Sequence, residues 1–83
     1  MSTVQFVRDL FGDQEIFAIK EWVGPNGEMG VYCSQAMGHL YLLIFIQAQH
    51  LHYTHQYLDT ERSLALRDAE IIAVFAGAQE IVA

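Results

Sequence analysis

The residues best able to do chemistry in this sequence are three histidines in the segment 47–57, which reads QAQHLHYTHQY. His50, His52 and His55 fall within six consecutive positions. Imidazole is a common ligand of transition metals, and it changes its charge near neutral pH. The segment therefore raises two chemical possibilities, which are a metal site and a pH sensor.

The spacing of these histidines is also typical of a half-solvated strand. Successive side chains of a strand point to opposite faces, so we expect His50 and His52 on one face and His55 on the other. The expected companions of His55 are Leu51, Tyr53 and Tyr57. Zinc normally needs three or four protein ligands, and no third ligand can be named for His50 and His52. We interpret the segment as a polar strand face and keep these two histidines as weak metal candidates.

Cys33 is the only cysteine, so no disulfide can form within the chain. Small secreted domains usually depend on several disulfides, which favours a cytoplasmic location here. A thiol beside His39 could act as a nucleophile with its base, but no glycine-rich oxyanion turn accompanies the pair. We interpret Cys33 as a packing residue and expect neither catalysis nor a cofactor.

The charge balance restricts the classes of partner. Ten acidic and four basic residues give a formal charge of −6 at pH 7. This charge repels phosphate backbones and anionic membranes, and it can steer the chain toward a basic protein surface. The longest apolar run, LYLLIFI, is much shorter than the roughly 18 residues of a membrane-spanning helix. We expect a protein partner, with no direct nucleic-acid binding and no membrane association.

The composition predicts an exposed apolar patch. The chain has 83 residues, of which 53% are hydrophobic, and a domain of this size has little interior volume. Contiguous apolar patches on a protein surface mark self-association or partner binding. We therefore expect residues 1–83 to form one domain that is a homodimer or binds an obligate partner.

The order of hydrophobic patterns predicts an α+β fold. β-Branched and aromatic residues mark strands over 16–23, 28–35 and 40–48, and GPNG at 24–27 marks a tight turn. With the histidine segment as a possible fourth strand, short connections favour a three- or four-stranded antiparallel meander. A short N-terminal helix is expected to end near Gly12. The last six residues, AQEIVA, fit either a longer helix or an edge strand.

The clearest predicted element is a C-terminal helix over 63–76, with Asp59 or Thr60 as its N-cap and Gly77 after its end. At about 100° per residue, one stripe of this helix is small and apolar and is expected to pack on the sheet. The stripe comprises Ala65, Ala69, Ile72, Ala73 and Ala76. A second apolar patch comprises Leu64, Ile71 and Phe75.

Asp68 lies between the two apolar stripes of the predicted helix. A boundary position of this kind is expected to pair with a basic residue, and the candidates are Arg8, Lys20 and Arg62. The functional alternative is that Asp68 confers specificity inside an interface. Both interpretations place this carboxylate beside the second apolar patch.

These patterns together favour non-enzymatic protein binding, as an inhibitor or adaptor. Aromatic and apolar side chains carry much of the energy of protein interfaces. The candidate contact residues are Leu64, Asp68, Ile71, Phe75, Trp22, Tyr53 and Tyr57. In size and charge alone, the chain is similar to phage-encoded anti-defence proteins such as anti-CRISPR inhibitors, which can occlude a basic groove. The alternatives are a structural homo-oligomer and a histidine-based metal-binding or pH-sensing protein.

Overall fold

The segments rich in β-branched and aromatic residues form strands, and the predicted α+β class is confirmed. The computed structural model describes residues 3–36 and 38–81 and contains two helices and five strands in that range. The elements are α1 (Thr3–Phe11), β1 (Phe17–Gly24), β2 (Gly27–Ser34), β3 (Leu40–Gln47), β4 (His50–Tyr57), α2 (Arg62–Ala76) and β5 (Gln79–Glu80).

The strands form one antiparallel sheet with the order β4-β3-β2-β1-β5. β1 to β4 are the expected meander, so the prediction of a fourth strand over the histidine segment is confirmed. The tail adds β5, in which Glu80 pairs with Trp22 and Gln79 pairs with Val23. The sequence left this tail open between helix and strand; the strand is found, and Val82 and Ala83 lie outside the described residues.

α2 covers one face of the sheet through its small residues, as the helical pattern predicts. Ala65, Ala69 and Ala73 are buried on this face. Their sheet partners come from four strands and are Trp22, Met29, Val31, Leu43 and Tyr57. Alanine has no bulk beyond its methyl group, so the helix axis can approach the sheet closely. This layer fixes where the remaining flanks of α2 lie.

α1 covers the opposite face of the sheet. Val7 of α1 and Ile16 of the following loop are buried against Leu42 and Ile44 of β3. The same layer contains Tyr32, whose hydroxyl donates a hydrogen bond of 2.8 Å to Glu21 Oε2. Burial, followed by the Glu21 carboxylate, raises the pKa of Tyr32 far above its ordinary value. The sheet is therefore enclosed by a helix on each side.

A glycine makes room for this tyrosine. A Cβ atom on Gly30 would lie 2.7 Å from the Tyr32 hydroxyl oxygen and under 3 Å from two of its ring atoms. Gly30 and Tyr32 are two apart in β2, so their positions share the α1 face. The tyrosine ring thus lies over the glycine on its way to Glu21, and a larger residue at Gly30 would displace it.

The start of α2 differs from the prediction, and its end agrees with it. Neither Asp59 nor Thr60 is the N-cap; a 3-10 turn spans Asp59–Glu61, and α2 begins at Arg62. The Glu61 carboxylate accepts a hydrogen bond of 2.8 Å from the backbone N–H of Leu58, which closes that turn. At the other end Gly77 adopts the left-handed conformation, with φ of 66°.

Candidate protein-interaction surface

One hydrogen bond defines which flank of α2 faces the edge strand β4. The hydroxyl of Tyr57 in β4 donates to Asp68 Oδ2 of α2 at 2.8 Å. Burial and then this bond raise the pKa of Tyr57 above its ordinary value. Asp68 thus connects α2 to β4.

The prediction that Asp68 pairs with Arg8, Lys20 or Arg62 is wrong. Its partners are the Tyr57 hydroxyl and, at 3.5 Å, Arg67 Nη2. Lys20, one of the expected partners, instead forms ion pairs with Glu70 and Glu80, at 2.8 and 3.0 Å. A phenol within the neighbouring strand was closer to Asp68 than any of the cations that the charge pattern suggested.

The exposed side chains of α2 include two of the three residues of the apolar patch that the sequence predicts. Ile71 is 49% exposed and Phe75 is 88% exposed. Leu64, the third member, is partly buried and packs against the core instead. Helical spacing puts Ile71 and Phe75 on the same flank as Asp68, at three and seven residues from it. Val74 is 79% exposed and lies one helical turn from Ile71, on the flank of Glu70 that faces β1.

The direction of α2 brings Phe75 toward the β3–β4 hairpin. The N-terminal half of α2 reaches Tyr57 at the end of β4 through Asp68. The C-terminal end lies over Gly24, where a Cβ atom would be 3.1 Å from Ala78 Cα and 3.4 Å from the Ala76 carbonyl oxygen. Gly24 pairs with Gly27 at the end of the sheet where β3 turns into β4. Phe75 is therefore at the level of the first half of β4.

Aromatic rings follow β4 on the side that carries α2. The rings of Tyr53 and His55 are stacked, with centroids 6.3 Å apart and planes 7° apart. His55 and Tyr57 are closer, at 4.6 Å with a tilt of 55°. Tyr53 and His55 are exposed, whereas Tyr57 is buried beneath α2. The exposed flank of α2 and the first two rings lie on the same side of the sheet, and we group four of these residues as the helix–strand surface: Ile71, Phe75, Tyr53 and His55.

A bulge in β4 changes the faces predicted for its side chains. Phe45 pairs with Tyr53, but Ile46 pairs with Leu51, so His52 has no partner of its own. Leu51 therefore shares the α1 side with Ile46 rather than the face of Tyr53, and that prediction is wrong. The His52 ring lies edge-on to Phe45, with centroids 6.4 Å apart, on the α2 side. His52 and His55 consequently share a face, which strict alternation forbids.

Two other residues selected from the sequence are placed where their chemistry is restricted. Trp22 is 4% exposed in the core under α2, with Lys20 Nζ 5.5 Å from its ring centroid, so it is not on the accessible surface. Cys33 is also buried, and this burial raises the pKa of its thiol. A raised pKa lowers the thiolate fraction at neutral pH, which opposes the nucleophile hypothesis.

His50 and His52 lie near the β3–β4 hairpin, both in the exposed part of β4. Over residues 3–36 and 38–81, no three or more His, Cys, Asp or Glu side chains are grouped so that they could hold a metal ion. The two histidines therefore have no third ligand in the described part of the chain. Their clearest contact is the ring contact of His52 with Phe45.

Charge is unevenly distributed over the molecule. β4 contains no Asp, Glu, Lys or Arg. Several acidic residues lie on the α1 side or in α1 and its following loop; they are Asp9, Asp13, Glu15, Glu21 and Glu28. Arg8 is the basic residue of that side, and its Nε donates to the Ile16 carbonyl at 2.8 Å. β4 is therefore electrically neutral when its histidines are neutral, while Asp59 and Glu61 follow it directly along the chain and five of the ten acidic residues lie on the α1 side or in the loop after α1.

None of the helices in the described ranges has the length and apolar character needed to cross a membrane.

Comparison with known proteins finds no matching family model, no matching curated protein and no matching solved structure.

Proposed function

We propose that this chain is a non-enzymatic protein-binding module, an adaptor or an inhibitor, that contacts its partner through the helix–strand surface. The observation that carries the proposal is the exposure of Phe75, at 88%, on the side of the sheet where the edge strand bears exposed aromatic rings. A phenylalanine in water gains free energy when a partner covers it, about 2 to 3 kcal/mol for complete burial of such a side chain.

The chemistry of the surface indicates how a partner would be recognised. Tyr53 and His55 combine an apolar ring with polar atoms, and such side chains give contact area with little loss of conformational entropy. Ile71 and Phe75 supply an apolar centre. Asp68 is one-third exposed and already accepts the Tyr57 hydroxyl, so it can orient a donor from the partner at the rim. A complementary partner presents an apolar pocket with a few hydrogen-bonding groups.

The acidic residues of the α1 side have a separate role in this proposal. They set the sign of the long-range field and favour approach to a basic protein, which is the kind of target an occluding inhibitor requires. They do not lie in the contact region. Salt should therefore slow association with a basic partner and change the lifetime of the complex only slightly.

The test compares two glutamate substitutions on α2. Phe75→Glu places a charge in the helix–strand surface, and Val74→Glu places the same charge about 100° further around the helix axis, on the flank of Glu70 that faces β1. Both residues are highly exposed, so both variants should remain folded. Tagged wild type and variants are used to capture proteins from lysate of the native host, at low and at high salt. Captured proteins are identified and their stoichiometry is measured.

We expect one stoichiometric partner that Val74→Glu retains and Phe75→Glu loses, with at least about a tenfold loss of affinity for a central contact. Retention by both variants together with complete release by salt would contradict the proposal, because it would place the contact on the acidic α1 side. Equal loss by both variants would contradict it as well, since the two flanks of α2 would not differ.

A further inference from the structure

β4 is an open sheet edge along its whole length. It is the first strand in the order β4-β3-β2-β1-β5, so β3 pairs with one of its sides and no described element pairs with the other. β4 has eight residues, and the N–H and C=O groups of every second residue therefore point away from the sheet. The opposite edge is different, because β5 has two residues and ends beside the ion pairs of Lys20.

This edge has almost none of the features that usually protect an edge strand. Natural proteins block such strands with lysine, proline, inward-pointing charges, bulges or a covering element. β4 has no lysine, no proline and no charge at neutral histidine. Its single irregularity is the bulge at His52, which leaves residues 53–57 in regular register with β3. Five consecutive residues are thus free to accept another strand.

The charge distribution favours a second copy of this chain as the source of that added strand. Two copies that each carry −6 repel one another wherever their acidic residues meet. Among the described helices and the strands of eight residues, only β3 and β4 lack charged residues, and β3 is in the interior of the sheet. β4 is therefore the exposed element along which two copies can approach without opposing formal charges.

We propose that β4 pairs in antiparallel fashion with β4 of a second copy, about a two-fold axis near His55, so that the two sheets become one sheet of ten strands. In this register Tyr53 of each copy lies opposite Tyr57 of the other, and the two His55 residues lie opposite each other. Each copy supplies the same groups to its partner, as a two-fold interface requires. The backbone hydrogen bonds of the ladder hold the two copies together.

This dimer leaves the helix–strand surface accessible. The two-fold axis is perpendicular to the sheet, so both α2 helices lie on the same face. α2 packs mainly over β1, β2 and β3, so its axis lies near β2. In the dimer, β2 of one copy is five strand spacings from β2 of the other, and at about 4.8 Å per spacing the two helices are roughly 24 Å apart. A helix with its side chains is about 10 Å wide. The exposed flanks with Ile71 and Phe75 then form the two walls of a groove, and the β4 rings form its floor.

The inference rests on the backbone edge of β4 and is independent of any other partner, so the purified chain alone tests it. Sedimentation velocity gives the dissociation constant of wild type and of three variants. His55→Lys places two cations opposite each other at the axis, which is unfavourable for directly opposed strand residues. Gln79→Lys makes the same change in formal charge on the other sheet edge and is the matched control. Phe75→Glu separates this interface from the helix–strand surface.

We expect a dimer whose dissociation constant rises at least about tenfold in His55→Lys and stays within about twofold in Gln79→Lys and Phe75→Glu. Circular dichroism shows whether each variant is folded. A wild-type chain that is monomeric at every concentration reached would overturn the inference. A dimer lost in Phe75→Glu but kept in His55→Lys would overturn it too, because the helices would then form the interface.

A second variant gives an answer even if His55→Lys fails to fold. Opposed Cα atoms of antiparallel strands are about 4.5 to 5.5 Å apart, which is within the range that a disulfide can span. His55→Cys should therefore form a covalent dimer under mild oxidation, while Gln79→Cys should remain largely monomeric. Native Cys33 is buried and is retained in both variants. Equal cross-linking of the two variants would show collision rather than a specific edge and would overturn the inference.

Discussion

At the residue scale, Tyr32 is the side chain whose environment makes the clearest prediction about stability. It is fully buried, and its hydroxyl donates to the Glu21 carboxylate. Burial first, and then Glu21, raises the pKa of Tyr32 above its ordinary value of about 10. The unfolded chain therefore releases this proton at a lower pH than the folded chain does.

The sign of the effect follows from this difference. The contribution of Tyr32 to the free energy of unfolding is complete below pH 10 and decreases above it, by at most about 1.4 kcal/mol per pH unit. Tyr32→Phe should be less stable than wild type at pH 8, by about 1 to 3 kcal/mol for a hydrogen bond to a charged group. The difference in free energy of unfolding between wild type and Tyr32→Phe should decrease above pH 10, because phenylalanine has no proton to release.

Urea unfolding of wild type and Tyr32→Phe between pH 8 and about pH 10.5 measures both effects. Tyr53→Phe, which removes a hydroxyl from an exposed ring, is the control. If the difference in free energy of unfolding between wild type and Tyr32→Phe stayed constant over this pH range, the raised pKa of Tyr32 would be contradicted. A similar loss of stability in Tyr53→Phe at pH 8 would show that any tyrosine hydroxyl has this effect.

Residue environments were only partly predictable from the sequence. The exposure of Ile71 and Phe75 follows from helical periodicity, which is local. The hydrogen bond from Tyr57 to Asp68 is not local in this sense, because it depends on how far α2 is shifted along the sheet. Trp22 could not be separated from an interface anchor by type alone, since tryptophan is frequent both in cores and at interfaces. Its burial depends on α2 lying above it.

At the element scale, the β3–β4 hairpin has an unfavourable turn sequence. Ala48 and Gln49 are its two central residues, and both have positive φ, 51° and 63°. Two-residue hairpin turns of this kind favour Asn-Gly, because other side chains clash with the backbone in the left-handed region. The pairing of β3 with β4 thus holds Ala48 and Gln49 in a conformation that is unfavourable for these two residue types.

The double substitution Ala48→Asn and Gln49→Gly should relieve this conflict. We expect the free energy of unfolding to rise by roughly 1 to 2 kcal/mol, since the left-handed conformation costs an ordinary residue about that much. Chemical denaturation measures the change. The control is Gln35→Gly, in a turn where Gln35 does not have a positive φ; it should leave stability unchanged or lower it. No gain from the double substitution would contradict the turn conformation described.

The strands themselves were predictable to within about one residue at most ends, because alternation and turn residues are local signals. The two bulges were not predictable from the sequence. The bulge between Ala18 and Lys20 turns Lys20 to the α2 side, where it bridges Glu70 and Glu80. The bulge at His52 moves Leu51 to the α1 side. A bulge is a property of two paired strands, so one strand's alternation cannot reveal it.

At the scale of the whole molecule, α1 and the sheet separate an acidic side from a neutral edge. The total charge of −6 is evident in the sequence, but its distribution depends on the register of β1 and β2. Glu21 and Glu28 occupy α1-side positions, and β4 is left without formal charge. A uniformly acidic surface would favour basic partners everywhere. The observed distribution instead allows apolar contact at β4 and α2 beside long-range attraction from the other side.

Hydrogen exchange of the chain, with and without its captured partner, tests most directly whether the chain binds a protein through the helix–strand surface. Exchange reports backbone protection along the whole chain, so no substitution is needed. We predict that the partner slows exchange in the C-terminal half of α2, around Ile71 and Phe75, and in β4 around Tyr53 and His55. Slower exchange confined to α1 and the loop after it, with α2 and β4 unchanged, would contradict the account.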